Sequence, residues 1–200
     1  MGNIPQPSMT VDLHMMDDGA LLWVGLREKA QGSEVWSQKN PCPVMLQEKV
    51  SEVVKRFGNC FPVRFAVDPS LKVGEFWPLV KAVVEASVIN TTFRSNSEAE
   101  GAGVGVYVMH DEEEWANILE HTGVDIQVSV LGQQLMLNGA NITRAAYAAV
   151  LEEIAREGDL NEVNLSIFAT PDTEYRTLDD LLKATSRSGI RRLALSALPE

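Results

Sequence analysis

Basic residues, cysteines, histidines and long apolar runs are all scarce in this chain, and each scarcity removes a class of function. Lysine and arginine total 17 against 28 aspartates and glutamates, for a formal net charge of −11 and a pI near 4.8. A nucleic-acid backbone or an anionic bilayer needs a basic surface, so neither is expected as the main partner. The two cysteines, Cys42 and Cys60, form no CxxC pair, so no zinc ribbon is built on them. Their spacing leaves open whether they form a disulfide or stay separate thiols. No apolar stretch reaches the ~18–20 residues that span a bilayer, and no charged start followed by an apolar core marks a signal peptide. Gly2 is followed by Gln6, where a myristoylation signal requires Ser or Thr.

Catalytic signatures are equally sparse. The three histidines, His14, His110 and His121, stand outside any HExxH pattern, and there is no EF-hand spacing and no GxSxG elbow. His110 precedes Asp111-Glu112-Glu113-Glu114, which has the composition of a metal cluster. Acidic residues in the first turn of a helix, stabilised by its dipole, explain that run more simply. Gly101-Ala102-Gly103-Val104-Gly105 lacks the Lys-Ser/Thr of a phosphate loop and precedes a strand where such a loop would open a helix, so it reads as a connector. Asp179-Asp180 lie early in an expected helix and read as its solvated face or as dipole partners. The expectation is a protein without catalytic residues, metal or cofactor.

What the chain does have is an internal repeat. Val11–Val24 lines up with Val124–Leu137 at a constant shift of 113, and Val63–Val88 lines up with Leu165–Ile190 at a shift of 102. The second block matches Asp68-Pro69 to Thr170-Pro171 and Leu79-Val80-Lys81-Ala82 to Leu181-Leu182-Lys183-Ala184. The difference between the shifts, 113 − 102 = 11, places about 11 extra residues in the first copy, assigned to the polar run from Glu28 to Pro43. With 200 residues, 45% hydrophobic and 22% charged, two folded units of roughly 80–100 residues are accommodated.

In the second copy, residues 125–131 and 134–138 flank Gly132-Gln133 as a hairpin, and Asn138-Gly139 breaks the strand. Thr143 is placed to cap a helix with Tyr147, Val150, Leu151 and Ile154 on one face, ended by Gly158. Val163–Ala169 is a strand, and Thr173 is placed to cap a second helix that turns Tyr175, Leu178, Leu181 and Leu182 inward. Gly189 suits the left-handed C-terminal position, and residues 191–197 close the sheet. The order is β-β-α-β-α-β. Right-handed crossovers put both helices on one face of a small mixed sheet.

The first copy repeats the pattern, with a first helical stripe of Leu46, Val50, Val53, Val54 and Phe57 and a second of Phe76, Leu79, Val80 and Val83. Pro78 is tolerable there if the helix starts near Glu75. Trp77 falls outside that stripe and Trp36 lies in the polar insertion, so both are candidate surface anchors for a partner, with local core cover as the alternative. The expected fold class is α+β, as two tandem two-layer units: a linker over residues 1–10, a first repeat over 11–95, a connector over 96–122 and a second repeat over 123–200. The connector is expected to hold an extra strand at 104–109, hairpinned to a strand at 91–94, and a short helix at Asp111–His121.

Val124-Asp125-Ile126 through Gly132 to Leu137-Asn138-Gly139, then Ile167-Phe168-Ala169-Thr170-Pro171-Asp172-Thr173-Glu174-Tyr175, then Ser188-Gly189-Ile190 to Leu195, resemble the periplasmic domain of the ExbD/TolR family. The first copy departs from the pattern, with Val73 at the place of Tyr175 and Ser87 at that of Gly189. The resemblance implies a non-enzymatic extracytoplasmic module on the periplasmic side of the bacterial inner membrane. Its partner there is an ExbB/TolQ-like channel subunit, in a complex that uses the proton-motive force. It further implies binding of a TonB/TolA-like protein segment or of peptidoglycan. It also implies a dimer, which two copies in one chain could form internally. Ile4-Pro5-Gln6-Pro7 then reads as a linker after a membrane anchor. Candidate partner contacts are Tyr175, Asp172 and Arg191 in the second copy and Trp77 and Trp36 in the first. The alternative is a soluble tandem α/β ligand-binding or regulatory protein with no membrane link.

Overall fold

A computed structural model describes residues 9–15, 22–28, 34–39, 42–57, 63–86, 91–95, 103–109, 124–158 and 160–198. The helix expected over Asp111–His121, the linker residues Ile4 to Pro7, Cys60, His110 and Trp115 lie outside them. The described residues form four α-helices and eleven β-strands, an α+β protein. The chain divides into two compact units, Met1–Leu71 with Glu75–Gly103, and Lys72–Gly74 with Val104–Glu200.

In the first unit β1 (Met9–Met15), β2 (Leu22–Glu28) and β3 (Glu34–Lys39) form an antiparallel meander. Helix α1 (Pro43–Phe57) leads to β4 (Val63–Val67), and α2 (Val73–Glu85) leads to β5 (Thr91–Ser95). β4 runs parallel to both β1 and β5, so the strand order is β3-β2-β1-β4-β5. Successive crossovers step in one direction across the sheet, which with right-handed connections puts both helices on one face. The expected stripes are buried there: Leu46, Val50, Val53 and Val54 from α1, and Phe76, Leu79, Val80 and Val83 from α2.

The second unit repeats this order. β7 (Val124–Leu131), β8 (Gln134–Leu137) and β9 (Ala140–Ile142) are the meander, followed by α3 (Arg144–Glu157), β10 (Val163–Ala169), α4 (Tyr175–Ser188) and β11 (Arg192–Ala197). A further strand, β6 (Val104–Val108), pairs in parallel with β11, giving β6-β11-β10-β7-β8-β9. The strand expected in the connector is therefore part of the second unit's sheet. β10 is parallel to both neighbours and buried along its whole length, as a central parallel strand must be. On the face that carries Asn164, Ser166 and Phe168, a small cluster of Met109, Phe168 and Ala194 adds a second apolar patch.

Expectations of element order, register and helix start change. Each unit is β-β-β-α-β-α-β, because Glu34–Lys39 is a strand paired with β2 and not loop insertion, and Asn138-Gly139 turns the chain into β9 and does not end the pairing. Asn138 (φ 47°) and Gly139 (φ 81°) both occupy the left-handed region, as a two-residue type I′ hairpin turn requires. The second change concerns register. Leu13 pairs with Val67 and Val130 pairs with Ala169, so the shift of 102 that matches Val67 to Ala169 places Leu13 against Val130, a shift of 130 − 13 = 117 and not 113. The four-residue slip keeps every side chain on its face, because strand alternation has period two. Third, α2 begins at Val73, so Pro78 lies beyond its first turn and leaves the Gly74 carbonyl without an N–H donor at i+4. Both residues are exposed, so water can satisfy that carbonyl.

The expected ends of α3 are found. Thr143 Oγ1 accepts from the Ala146 N–H at 3.1 Å, and the Gly158 N–H donates to the Ile154 carbonyl. Gly189 (φ 89°) is the left-handed stop of α4. Thr173 does not cap that helix: Glu174 holds the N-cap position without a side-chain bond, and Thr173 is buried with its hydroxyl on the Val130 carbonyl at 3.3 Å.

Asn138 also closes the β7–β8 ladder. Its N–H donates to the Gln127 carbonyl and its Oδ1 accepts from the Gln127 N–H, both at 2.8 Å. Asn138→Ala loses the side-chain bond and places a Cβ residue without local compensation in left-handed space, an expected cost of about 1–2 kcal/mol. Asn138→Gly keeps the turn and is expected to cost less. Urea titrations of both variants check the order, and an alanine variant as stable as the glycine variant would refute it.

Candidate functional site

The turn between β10 and α4 is densely hydrogen-bonded. The Thr170 N–H donates to the Val130 carbonyl at 2.9 Å, extending the parallel ladder one residue past β10. The Thr170 hydroxyl accepts from the Gly132 N–H at 2.9 Å and donates to the Asp172 carboxylate. Gly132 (φ 62°) sits in the left-handed region, and a Cβ there would stand 2.9 Å from Asp172 Oδ2, so a side chain would displace that carboxylate. The turn thus lashes the β7–β8 hairpin to the carboxyl end of β10, with Asp172 itself exposed. In the first unit the Asp68 N–H donates to the Leu13 carbonyl at 2.8 Å, and Asp68 Oδ1 accepts from the Ser70 N–H at 2.9 Å and from its hydroxyl at 2.6 Å. The same backbone position is held by different side chains.

Within each unit the candidate contacts do not converge. Tyr175 is fully buried and serves as the first inward residue of α4. Trp77 is 6% exposed, so the expectation that it stands outside the apolar stripe of its helix is corrected: the buried side of α2 also takes in Trp77 and Ala82. Neither ring offers surface to a partner. Arg191 is exposed but sits before β11, whose Arg192 pairs with Asn164 near the start of β10. Asp172 follows the other end of β10, about five residue steps or roughly 17 Å away along the strand.

Trp36 is placed differently. It lies half-buried in β3, in register with Leu26 of β2, and Gln38, two residues on, shares its face and reaches Met45 Sδ of α1 at 3.8 Å. Ser37 and Lys39 point to the opposite face and are exposed. β3 ends the strand order, and among the described residues nothing pairs with its outer edge. A register shift between Leu26 and Arg27 twists its beginning, a common way of limiting unwanted pairing at an edge. β9, at the far end of the other sheet, is only three residues long. The six-residue β3 is therefore the longer template for an added strand.

Two sets of polar groups are buried. Asp12 and Arg94, both buried, flank Ala66 from β1 and β5 on one face of the first sheet. In the second unit Asp179 is buried with Lys183 at 2.5 Å, so it is not part of a solvated face, while Asp180 is exposed and meets Arg144 of α3 at 3.0 Å. Arg144 also donates to Thr177 Oγ1 at 3.1 Å, and the buried Tyr147 hydroxyl meets Thr185 Oγ1 at 2.7 Å. These bonds lace α3 to α4. Burial pushes the Tyr147 hydroxyl up to about 12, with the Thr185 hydrogen bond offsetting part of the shift. Cys42 is an exposed free thiol. Among the described residues no group of three or more histidine, cysteine, aspartate or glutamate side chains is placed to hold a metal ion, and no helix is long and apolar enough to cross a membrane.

No protein-family model matches the chain, and no curated protein matches it.

Proposed function

We propose that this chain is a non-enzymatic binding module of an ExbD/TolR-like complex driven by the proton-motive force, on the periplasmic side of the bacterial inner membrane, and that it takes an extended partner segment as an added strand on β3. The observation that carries the reading is the outer edge of β3: six residues with Trp36 at its middle and no described strand beyond it. Unpaired N–H and C=O groups template a further strand, while side-chain pockets along the edge select its sequence. Two helices on a mixed sheet in each unit support the same reading, with the third meander strand, β3 or β9, an addition to the order on which the resemblance rests. In that complex an ExbB/TolQ-like channel subunit is the membrane partner, a TonB/TolA-like segment is the strand donor, and the two units act as an internal pseudo-dimer.

The test is backbone amide exchange on the full chain with and without the extended segment of a TonB/TolA-like protein. Strand addition is expected to slow exchange by at least about tenfold at alternate residues of Glu34–Lys39, and Trp36→Ala is expected to weaken binding by about tenfold. Unchanged exchange across β3 at saturating segment would overturn the proposal. Co-sedimentation with purified peptidoglycan, with β3 exchange unaltered, would move the reading to the cell wall.

A further inference from the structure

A second surface, independent of β3, lies within the second unit where α3 meets the starts of β7 and β10. It is an open trough of about 440 Å³. Its apolar lining comes from Val150 and Ile154, one helical turn apart on α3, and from Val124 and Val163, which are paired across β7 and β10. Val124 is 62% exposed, and Val150 and Ile154 are only partly covered although they lie beside the fully packed Tyr147–Leu151 row. Apolar side chains at i and i+4 next to a buried row normally continue the core stripe. Here that stripe runs out into the trough.

The rim is acidic. Glu153 and Glu157 stand one turn apart on α3, and Glu162, at the end of the 3-10 turn Leu160–Glu162, also lines the trough. Gly158, the helix stop, is part of the lining, so the negative end of the α3 dipole opens into the same space. Among the described residues no lining residue is basic; Arg156, in the last turn of α3, is not part of the lining. Three carboxylates and a helix C-terminus around an apolar floor repel an acidic ligand and leave a purely apolar one with nothing to pair with the charge. The volume is that of a small-ligand site, enough for one or two aliphatic side chains and too little for a packed domain.

From this complementarity we propose that the trough docks a basic linear segment of a partner protein. An aliphatic side chain of the segment fills the space between Val150, Ile154, Val124 and Val163, and flanking Lys or Arg side chains pair with Glu153, Glu157 and Glu162. The carboxylates set the charge of the partner, and the apolar floor requires an aliphatic anchor beside the cations. Lysine and arginine suit the rim because their aliphatic stems lie along apolar surface while their charges reach outward.

The probe is a synthetic peptide of alternating lysine and leucine, titrated into the methyl-labelled full chain and followed by NMR. Three comparisons decide the matter: the same peptide with serine for leucine, the same peptide with glutamate for lysine, and a protein variant carrying Glu153→Gln, Glu157→Gln and Glu162→Gln. The methyl signals of Val124, Val150, Ile154 and Val163 are expected to move in saturable fashion with the lysine–leucine peptide. Affinity is expected to fall at least about tenfold for each comparison, because the site requires both charge and anchor. Ile154→Ser, which keeps the charge and removes the floor, is expected to weaken binding similarly. Equal binding of the serine peptide would show charge attraction alone, equal binding of the triple variant would show that the rim is not the site, and shifts confined to other methyls would place the peptide elsewhere; any of these overturns the proposal.

Discussion

Phe65→Ala is expected to destabilise the first unit by about 3–5 kcal/mol, the range for emptying a fully buried aromatic site. Phe65 is at the centre of β4, the strand with parallel partners on both sides, in register with Val11 of β1 and Phe93 of β5. Its ring stacks on that of Phe93 with centroids 4.9 Å apart and an interplanar angle of 24°. Both rings are essentially inaccessible, on the face shared with Met9, Val11, Leu13, Val63 and Val67, which are also buried. Removing the ring therefore leaves a cavity that backbone-bound neighbours on three strands cannot close, and strips one side of Phe93 of its contact. Phe65→Leu retains most of the volume and is expected to cost less than half as much. Trp23, Trp36 and Trp77 all belong to the first unit, so tryptophan fluorescence in urea reports mainly on it. A midpoint shift equivalent to less than about 1 kcal/mol for Phe65→Ala would show that the site collapses and that this strand is not the unit's core.

The helices were legible because their side chains repeat in space as they do in sequence: Phe76, Leu79, Val80 and Val83, and Tyr175, Leu178, Leu181 and Leu182, are buried as their spacing requires. Trp77 was misplaced because a stripe drawn from four residues underestimates how much of α2 is covered. The burial of Trp77 and Ala82 makes its buried side broader. Strand register was less accessible for a physical reason. Any slip by an even number of residues preserves in–out alternation, so the sequence alone cannot separate a shift of 113 from 117, whereas pairing with β4 and β10 does so at once. β3 was missed because Gly32 before it and Asn40-Pro41 after it mark the ends of a strand and the interior of a loop equally well.

Surfaces were harder to read than the core. Asp179 and Asp180 are neighbours in sequence with similar chemistry, yet 100° of helical rotation buries one against Lys183 and leaves the other to pair with Arg144 across to α3. The acidic trough draws on Val124, on residues 150–158 and on Glu162 and Val163, three segments whose adjacency exists only once β7 and β10 are paired. Its sequence trace was present in part: Val150 and Ile154 were assigned to the inward face of α3, and their incomplete burial is what leaves room for a partner.

Alkaline pH is expected to destabilise the second unit through Tyr147 alone by about 2–3 kcal/mol once both folded and unfolded forms are ionised. The Thr185 hydroxyl donates to the Leu181 carbonyl at 2.8 Å, so its single proton is committed along α4, and the 2.7 Å contact with Tyr147 has the tyrosine donating. Ionisation removes that donor and strands a phenolate in a buried site. Thr185 can turn its proton toward the phenolate only by abandoning Leu181, which is why the hydrogen bond offsets burial in part and does not cancel it. The folded-state value is about 12 against 10.0 for an exposed tyrosine. A group whose value is raised on folding holds its proton more tightly in the native state, so its contribution is complete below pH 10 and declines as the pH rises toward 12. Tyr147→Phe keeps the ring, loses one hydrogen bond at neutral pH at a cost of about 0.5–1.5 kcal/mol, and has no proton to lose. Urea unfolding followed by a far-ultraviolet signal at pH 8 and pH 11.5 should show the wild type losing more stability than Tyr147→Phe over that interval, so that the two curves converge or cross. Parallel losses in the two proteins would show that the Tyr147 hydroxyl is reached by solvent and that the bond to Thr185 does not fasten α3 to α4.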